Sequence, residues 1–441
     1  MLAAMAHTSL PPHIGSAAHE SQTSSQRLFF LDWLRILAFG LLVVYHVGMY
    51  YVSWGWHVKS PAASTTIEPL MLLSSPWRMG LLFLISGAAL MHALAAKPQP
   101  AGAFFRRRSG RLLWPLLFGM LIIVPPQSYF EVIAKFSYSG SYLDFMPDYL
   151  RGNADFCRLE EGRRRCLSLP TWNHLWFLPY LWAYTGLALL LARWAPRLLA
   201  WGSESIAARS GSTLFLMLLG ALPLMAARVT LIQFEVTHNL VWDWYAHAQY
   251  LGLFVLGYLM ASAGDSLWLG LRRLRWLALV AALCSWAGLM FYFQAYADTP
   301  PPDALRYAMR LLWGGMQWWA LVAVCGFARQ WLNQDSPLRQ RLSAAVFCVY
   351  ILHQTLIVVL SQAIKPWHLP PLAEGLALIS LTAALCALGY TLARRLPAPL
   401  AVLLGVERKS ALQYPPQYPS NSASGRQPRQ SGSVLTAEKK S

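Results

Sequence analysis

Arg35 and His46 lie within the apolar stretch 29–51 and carry side chains that can bind phosphate and accept a proton. Eleven positions are about 20° more than three helical turns, so both side chains share one helix face, roughly 16.5 Å apart along its axis. A guanidinium pairs with oxyanions, and an imidazole suits general-base work on a hydroxyl. Ionisable residues at membrane depth usually mark a functional path. The pair therefore predicts a site; in the structural alternative, Arg35 pairs with Asp32 and His46 is a satisfied core histidine.

An arginine cluster and a pair of small residues predict a second site, near the end of the spans where Arg35 lies. The cluster precedes the third apolar stretch and consists of Arg106, Arg107, Arg108 and Arg111. It could hold the phosphates of coenzyme A, or it could anchor the chain on anionic lipid. Ser86, followed by Gly87, permits close backbone approach, either of the same donor or of a neighbouring helix.

Five further residues predict a substrate site toward the other end of the spans, where His46 lies. They are Arg78, His174, Arg228 and Arg310, together with His353, which falls in the middle of its span. Their positive groups could neutralise an anionic substrate, because acids are expected only at the rim, as Glu131, Glu235 and Asp243. The alternatives are interfacial anchoring of the arginines and a structural role for His353. No spacing of His and Cys predicts a metal site.

Composition indicates that membrane-spanning helices carry these residues. Of the 441 residues, 56% are hydrophobic and only 12% are charged, about half of the share in soluble proteins. Apolar stretches of about 20 residues predict an all-α membrane protein with about ten transmembrane helices. The predicted spans are 29–51, 69–92, 111–130, 174–193, 212–231, 244–262, 274–295, 306–328, 343–362 and 373–393.

The distribution of basic residues predicts the orientation. Lys and Arg outnumber the acids by 36 to 19 and concentrate in every second loop, which indicates membrane topology rather than nucleic-acid binding. Both termini are therefore expected to be cytoplasmic. This places Arg35 near the inner surface and His46 in the outer half of the membrane.

The same pattern predicts the domain organisation. We expect a cytoplasmic segment without a signal peptide, a membrane domain and a largely disordered cytoplasmic tail, at 1–27, 28–396 and 397–441. The extracytoplasmic loop 131–173 balances its acids and bases and should form a small ordered cap. It contains Cys157 and Cys166, for which a local disulfide is possible if the loop is extracytoplasmic.

Five features spread over residues 28–393 carry a family resemblance. They are the Arg35/His46 spacing, LLFLISG in the second span, RRRSGRLLWP before the third, HLWFLPYLW at the fourth and the late YILHQT. Together they resemble the acyltransferase-3 superfamily of integral membrane acyltransferases, in style most similar to periplasmic glucan succinyltransferases. The resemblance implies a bacterial inner-membrane enzyme that moves an acyl group from cytoplasmic acyl-CoA to an extracytoplasmic hydroxyl, usually on a sugar. It implies that no cofactor is tightly bound.

The resemblance also assigns roles to residues. His46 is expected to be the catalytic histidine with Arg35 as its motif partner, and the arginine cluster is expected to bind the donor. The axial separation of Arg35 and His46 is comparable to a pantetheine arm. Direct attack of the acceptor hydroxyl and a transient acyl-histidine both remain open. Succinyl is favoured over acetyl, because the outer arginines could neutralise a distal carboxylate.

Two other classes of protein compete with this interpretation. A secondary transporter of an anionic solute fits the spans and the buried cations, but it predicts paired repeats that the sequence does not show. A non-catalytic partner in envelope polysaccharide assembly leaves the Arg35/His46 pairing unexplained.

Overall fold

The computed structural model describes residues 28–96, 99–152, 156–160 and 163–407. The expected segment 1–27 and residues 408–441 of the expected tail lie outside the described residues. Within them the chain is mostly helical. Its α-helices are α1 (Phe29–Tyr51), α2 (Glu68–Ser74), α3 (Arg78–Ala96), α4 (Ala101–Phe118), α5 (Pro125–Phe136), α6 (Tyr142–Arg151), α7 (Phe177–Trp194), α8 (Pro196–Ala208), α9 (Thr213–Leu218), α10 (Ala221–Thr230), α11 (Trp244–Ser262), α12 (Asp265–Ala295), α13 (Asp303–Trp331), α14 (Pro337–Ile364), α15 (Pro371–Ala393) and α16 (Ala398–Leu403).

These helices confirm the predicted all-α membrane protein. Among the described residues, eight helical segments are long and apolar enough to cross a membrane, or up to nine if one bent pair counts as a single span. The predicted span 244–262 is a helix, α11, but it is not among those segments. The predicted span 212–231 consists of two short helices, α9 and α10. The cytoplasmic placement of the termini stays a prediction.

The third predicted span, 111–130, is broken rather than straight. α4 continues through a π-helical turn, Gly119–Ile123, and then bends by 43° into α5. Pro125 opens α5, and a proline has no N–H to continue the hydrogen bonds of the preceding helix. As a result α5 packs against α14, and its polar residues lie beside that helix.

The loop 131–173 contains ordered structure of its own. Besides the end of α5 and the whole of α6, it holds two paired antiparallel strands, β1 (Cys157–Glu160) and β2 (Arg163–Cys166). Cys157 and Cys166 form the disulfide that the sequence left open. A small cluster of buried aromatic and apolar side chains ties the loop together; its fully buried members are Val132, Phe145 and Tyr149.

The core that positions the site is built around α1 and α3. α1 packs against α14, α3, α13 and α15. α3 lies unusually close to α11. A Cβ on Gly87 would lie 1.8 Å from the carbonyl oxygen of Phe254, and a Cβ on Gly257 would lie 1.9 Å from the carbonyl oxygen of Leu84. Only glycine permits this backbone approach. Of the two interpretations of the Ser86–Gly87 pair, helix packing explains Gly87.

Candidate active site

His46 and His353 form a hydrogen-bonded pair between α1 and α14. Nδ1 of His46 lies 2.9 Å from Nε2 of His353. The two rings are almost parallel, with planes 10° apart and centroids separated by 5.1 Å. His353 is almost fully buried, with 1% of its surface exposed, whereas His46 is half-buried. Among the described residues, His46 makes a hydrogen bond through Nδ1 and none through Nε2.

His174 is the third histidine of this cluster. It lies in a 3-10 turn, Asn173–Trp176, and its ring meets the ring of His353 edge-on with centroids 5.2 Å apart. Its Nε2 lies 3.1 Å from the carbonyl oxygen of Ile351, and its Nδ1 lies 3.3 Å from the amide nitrogen of Gln127. Both ring nitrogens of His174 are therefore occupied, and so are both of His353. Neither histidine has a ring nitrogen free for a substrate.

A polar network extends from His174 toward the loop after α1. The Gln354 side-chain amide donates to Gln127 Oε1 at 3.0 Å and to His57 Nε2 at 2.8 Å. His57 Nδ1 in turn lies 2.5 Å from Glu131 Oε2, and Lys135 pairs with the same carboxylate. The network joins α5, α14 and the loop, and it surrounds the histidine cluster with satisfied polar groups.

His57, Gln127 and Gln354 belong to this network but were not among the predicted site residues. Two of them left a signal: Gln354 directly follows His353, and Gln127 follows the Pro125–Pro126 break, whereas His57 lies in the loop after α1. A polar side chain inside an apolar span needs a partner, so such residues indicate a buried polar cluster.

Two of the acids expected at the rim, Glu131 and Asp243, are buried within the protein. Glu131 has 7% of its surface exposed and Asp243 has none. Asp243 accepts hydrogen bonds from the backbone N–H groups of Thr237 and His238, at 2.7 and 2.6 Å. A carboxylate can be buried when N–H groups bond to it, as they do for Asp243, whereas Glu131 pairs with His57 and Lys135.

Arg78 lies next to this cluster and has no acidic partner there. Its guanidinium carbon sits 3.3 Å from the centroid of the Tyr45 ring, which neighbours His46 in sequence and space. Only 6% of its surface is exposed, and its Nε and Nη1 atoms are buried without a hydrogen-bond partner among the described residues. Unpaired donors on a buried cation are costly, so Arg78 is a candidate for binding an anionic oxygen.

Arg228 and Arg310 do not join Arg78 in one cluster through any contact that the described residues make. Arg228 donates to the Tyr245 hydroxyl at 2.9 Å and lies over the ring of Trp313. Arg310 lies over the ring of Tyr307, one helical turn away. These aromatic contacts resemble the interfacial anchoring that was the alternative for both arginines.

Arg35 lies at the other end of the α1 face and is held by polar contacts. It donates to Asp32 Oδ1 at 3.4 Å and to the hydroxyl of Ser343 on α14. Asp32 also pairs with Arg339, which pairs with Asp335 at 2.7 Å. The hydrogen bond from Arg339 lowers the pKa of the Asp335 carboxyl. The pairing predicted by the structural alternative is present, and 37% of the Arg35 side chain still faces solvent.

The predicted donor residues lie on α3 and α4, with partners of different kinds. Arg108 Nε donates to the hydroxyl of Thr185 on α7 at 2.9 Å, and Arg107 donates to the Gln99 amide oxygen at 2.6 Å. Arg111 pairs with Glu407, while Arg106 is exposed. The Ser86 hydroxyl donates to the carbonyl of Leu82 within its own helix. A donor-binding role for these residues stays a prediction.

The described residues contain no group of three or more His, Cys, Asp or Glu side chains placed to hold a metal ion. The exposed arginines of α4 could hold an anionic cofactor.

Fold and site define a multi-pass membrane protein with a histidine pair in its core. A family model described as an acyltransferase domain matches residues 28–391. The chain belongs to this acyltransferase family and is therefore an enzyme that transfers acyl groups other than amino-acyl groups. This confirms the predicted superfamily and favours an enzyme over a transporter or an assembly partner. No curated protein and no solved structure matches the chain.

Proposed function

We propose that this acyltransferase moves an acyl group from cytoplasmic acyl-CoA to a hydroxyl of an extracytoplasmic glycan, with His46 as the general base. The observation that carries the proposal is the unpartnered Nε2 of His46, whose other ring nitrogen is held by His353. A general base needs a free lone pair and a fixed orientation, and this pair supplies both. The proposed location is the bacterial inner membrane, with both termini cytoplasmic.

The proposed reaction runs along the shared face of α1. Arginines at the Arg35 end hold the phosphates of the donor, and the pantetheine arm carries the thioester toward His46. Nε2 of His46 takes the proton of the acceptor hydroxyl while the hydroxyl oxygen attacks the thioester carbonyl carbon. The carbon–sulfur bond then breaks, and the thiolate of coenzyme A receives the proton from His46. An acyl-histidine intermediate is the second route and uses the same nitrogen as nucleophile.

We further propose succinyl rather than acetyl as the transferred group. Arg78 supports this choice, because two of its buried nitrogens lack partners beside His46 and a distal carboxylate would satisfy them. Arg228 and Arg310 contribute less to the proposal than the sequence suggested, because each lies against aromatic rings rather than beside Arg78.

Acyl transfer by purified protein in liposomes tests the proposed role of His46. The protein is oriented with its cytoplasmic side facing outward, acyl-CoA is added outside the liposomes, and a glucan acceptor is enclosed within them. His46→Ala should then transfer the acyl group about 10²–10⁴-fold more slowly than the wild type. His247→Gln is the control: both ring nitrogens of His247 are used, by the Tyr184 hydroxyl and the Leu240 carbonyl oxygen, and among the described residues it makes no hydrogen bond to His46. Activity retained by His46→Ala would refute the general-base role.

A further inference from the structure

The hydrogen bonds around His353 allow only one neutral form of its ring. Its Nδ1 faces two backbone carbonyl oxygens, that of Tyr350 at 2.8 Å and that of Val349 at 3.2 Å. A carbonyl oxygen only accepts hydrogen bonds, so Nδ1 of His353 must carry the proton. In a neutral imidazole the other nitrogen is then an acceptor, so Nε2 of His353 presents a lone pair to α1.

This lone pair decides which nitrogen of His46 can act as a base. Nδ1 of His46 lies 2.9 Å from it and must therefore carry a proton and donate it. Nε2 of His46 is left deprotonated and unpartnered. In the opposite tautomer of His46, the lone pair of its Nδ1 would face the lone pair of His353 Nε2. Nε2 of His46 would then carry the proton, although the proposed reaction requires this nitrogen to accept one.

A charged His353 would reverse this arrangement. An imidazolium donates from both nitrogens, so it would force His46 Nδ1 to accept and would place the His46 proton on Nε2. A charge on a residue with 1% of its surface exposed, inside a membrane span, is costly. The neutral form is therefore the one that the site stabilises.

The ring of His353 is also fixed in orientation. The edge of the His174 ring packs against the His353 ring, with an angle of 88° between the two ring planes. His174 is itself held by hydrogen bonds to Gln127 and the Ile351 carbonyl oxygen. The Tyr350 hydroxyl donates to the carbonyl oxygen of His174 at 2.7 Å, which ties the 3-10 turn to α14. His353 therefore has little freedom to rotate away from His46.

We propose that His353 is a positioning residue, which sets the tautomer and the ring orientation of His46 through a neutral imidazole. This inference rests on the proposed general-base role of His46. It replaces the expectation that His353 contacts substrate, because both of its ring nitrogens are already used within the protein. The role resembles that of the carboxylate that orients histidine in a serine-protease triad, with a neutral acceptor in place of the charge.

Two His353 variants separate positioning from a structural role. His353→Leu removes the acceptor and should lower kcat about 100-fold, with the KM values for donor and acceptor changing less than about twofold. His353→Gln keeps an acceptor oxygen and should recover at least about a tenth of the wild-type kcat. His247→Gln should remain at wild-type kcat. A kcat of folded His353→Leu within about threefold of wild type would overturn the proposal.

The tautomer of His46 can be measured by a method that does not depend on enzyme activity. Solid-state ¹⁵N NMR of histidine-labelled protein in liposomes, with His46 assigned by its loss in His46→Ala, should show a protonated Nδ1 and a deprotonated Nε2 in the wild type. His353→Leu should populate both tautomers. A protonated Nε2 in the wild type would overturn the positioning role even if His46 proved essential. If His46→Ala stayed active while the spectrum was as expected, the proposed function would fail and the tautomer assignment would stand.

Discussion

Replacing Arg78 with methionine should stabilise the protein while lowering its activity. Two buried donors of Arg78 lack partners, and each unmade hydrogen bond costs about 1–3 kcal/mol, or about 2–6 kcal/mol together. The cation–π contact between the Arg78 guanidinium and the Tyr45 ring, at 3.3 Å, stabilises the folded state by about 2 kcal/mol when it is desolvated. Methionine removes both contributions and fills similar space, so we expect a change between neutral and about 4 kcal/mol of stabilisation.

The control is Arg329, a largely buried arginine whose Nε also lacks a partner among the described residues but whose Nη2 has an acidic one. It contacts both carboxylate oxygens of Asp265, at 2.8 and 2.7 Å, and 9% of its side chain is exposed. Arg329→Met removes this ion pair and should lower the melting temperature, by a small amount because 41% of the Asp265 side chain is exposed. Thermal unfolding of the two variants in one detergent therefore should give shifts of opposite sign. A clear fall in melting temperature for Arg78→Met would refute the claim that its charge is unpaired.

The same site predicts donor selectivity. A charge-assisted hydrogen bond contributes about 1.5–3 kcal/mol, which corresponds to about a 10- to 150-fold loss of kcat/KM when Arg78 is replaced by glutamine. The loss should appear with succinyl-CoA and be much smaller with acetyl-CoA, which has no distal carboxylate. Equal losses with both donors would remove the argument for a dicarboxylic acyl group.

Three further predictions concern packing, pH and the donor side. Gly87→Val should prevent close approach of α3 to α11 and sharply reduce the yield of folded protein, whereas Gly252→Val, with open space around its Cβ position, should be tolerated in size-exclusion analysis. Burial lowers the pKa of Lys59 from 10.5 to about 8, so the folded state releases this proton first. Its contribution to stability should therefore rise between about pH 8 and 10.5, and the melting temperature of wild type minus that of Lys59→Met should rise with it. Arg106→Gln should raise KM for acyl-CoA but leave KM for acyl-pantetheine, which lacks the nucleotide phosphates, unchanged; a rise for both would contradict phosphate binding.

The hydropathy pattern of the sequence predicted where the helices lie, but it did not predict which helices pack against each other. Hydropathy located α1 and α14, because a span of sufficient apolar length has to be helical in lipid, and it also located the helix α11, which is not among the described segments that could cross a membrane. It did not show that α4 and α5 form a bent pair, although Pro125 marked the break. The contact of Gln354 with His57 joins residues 297 positions apart. No periodicity within a helix contains such a pairing, because it depends on how separate helices dock.

The pairing of α1 with α14 explains why two distant residues of one helix can serve one reaction. Arg35 contacts Ser343 and His46 contacts His353, so both residues of the α1 face meet the same second helix. Positions increase along both helices in the same sense, and α1 and α14 therefore run parallel along the proposed path of the acyl group. One end of this helix pair is ionic and partly exposed, which suits phosphate binding; the other is half-buried and neutral, which suits proton transfer. Arginines at the ionic end would disfavour the protonated form that a general base must adopt during the reaction, so separation along the helix pair keeps phosphate binding and proton transfer apart.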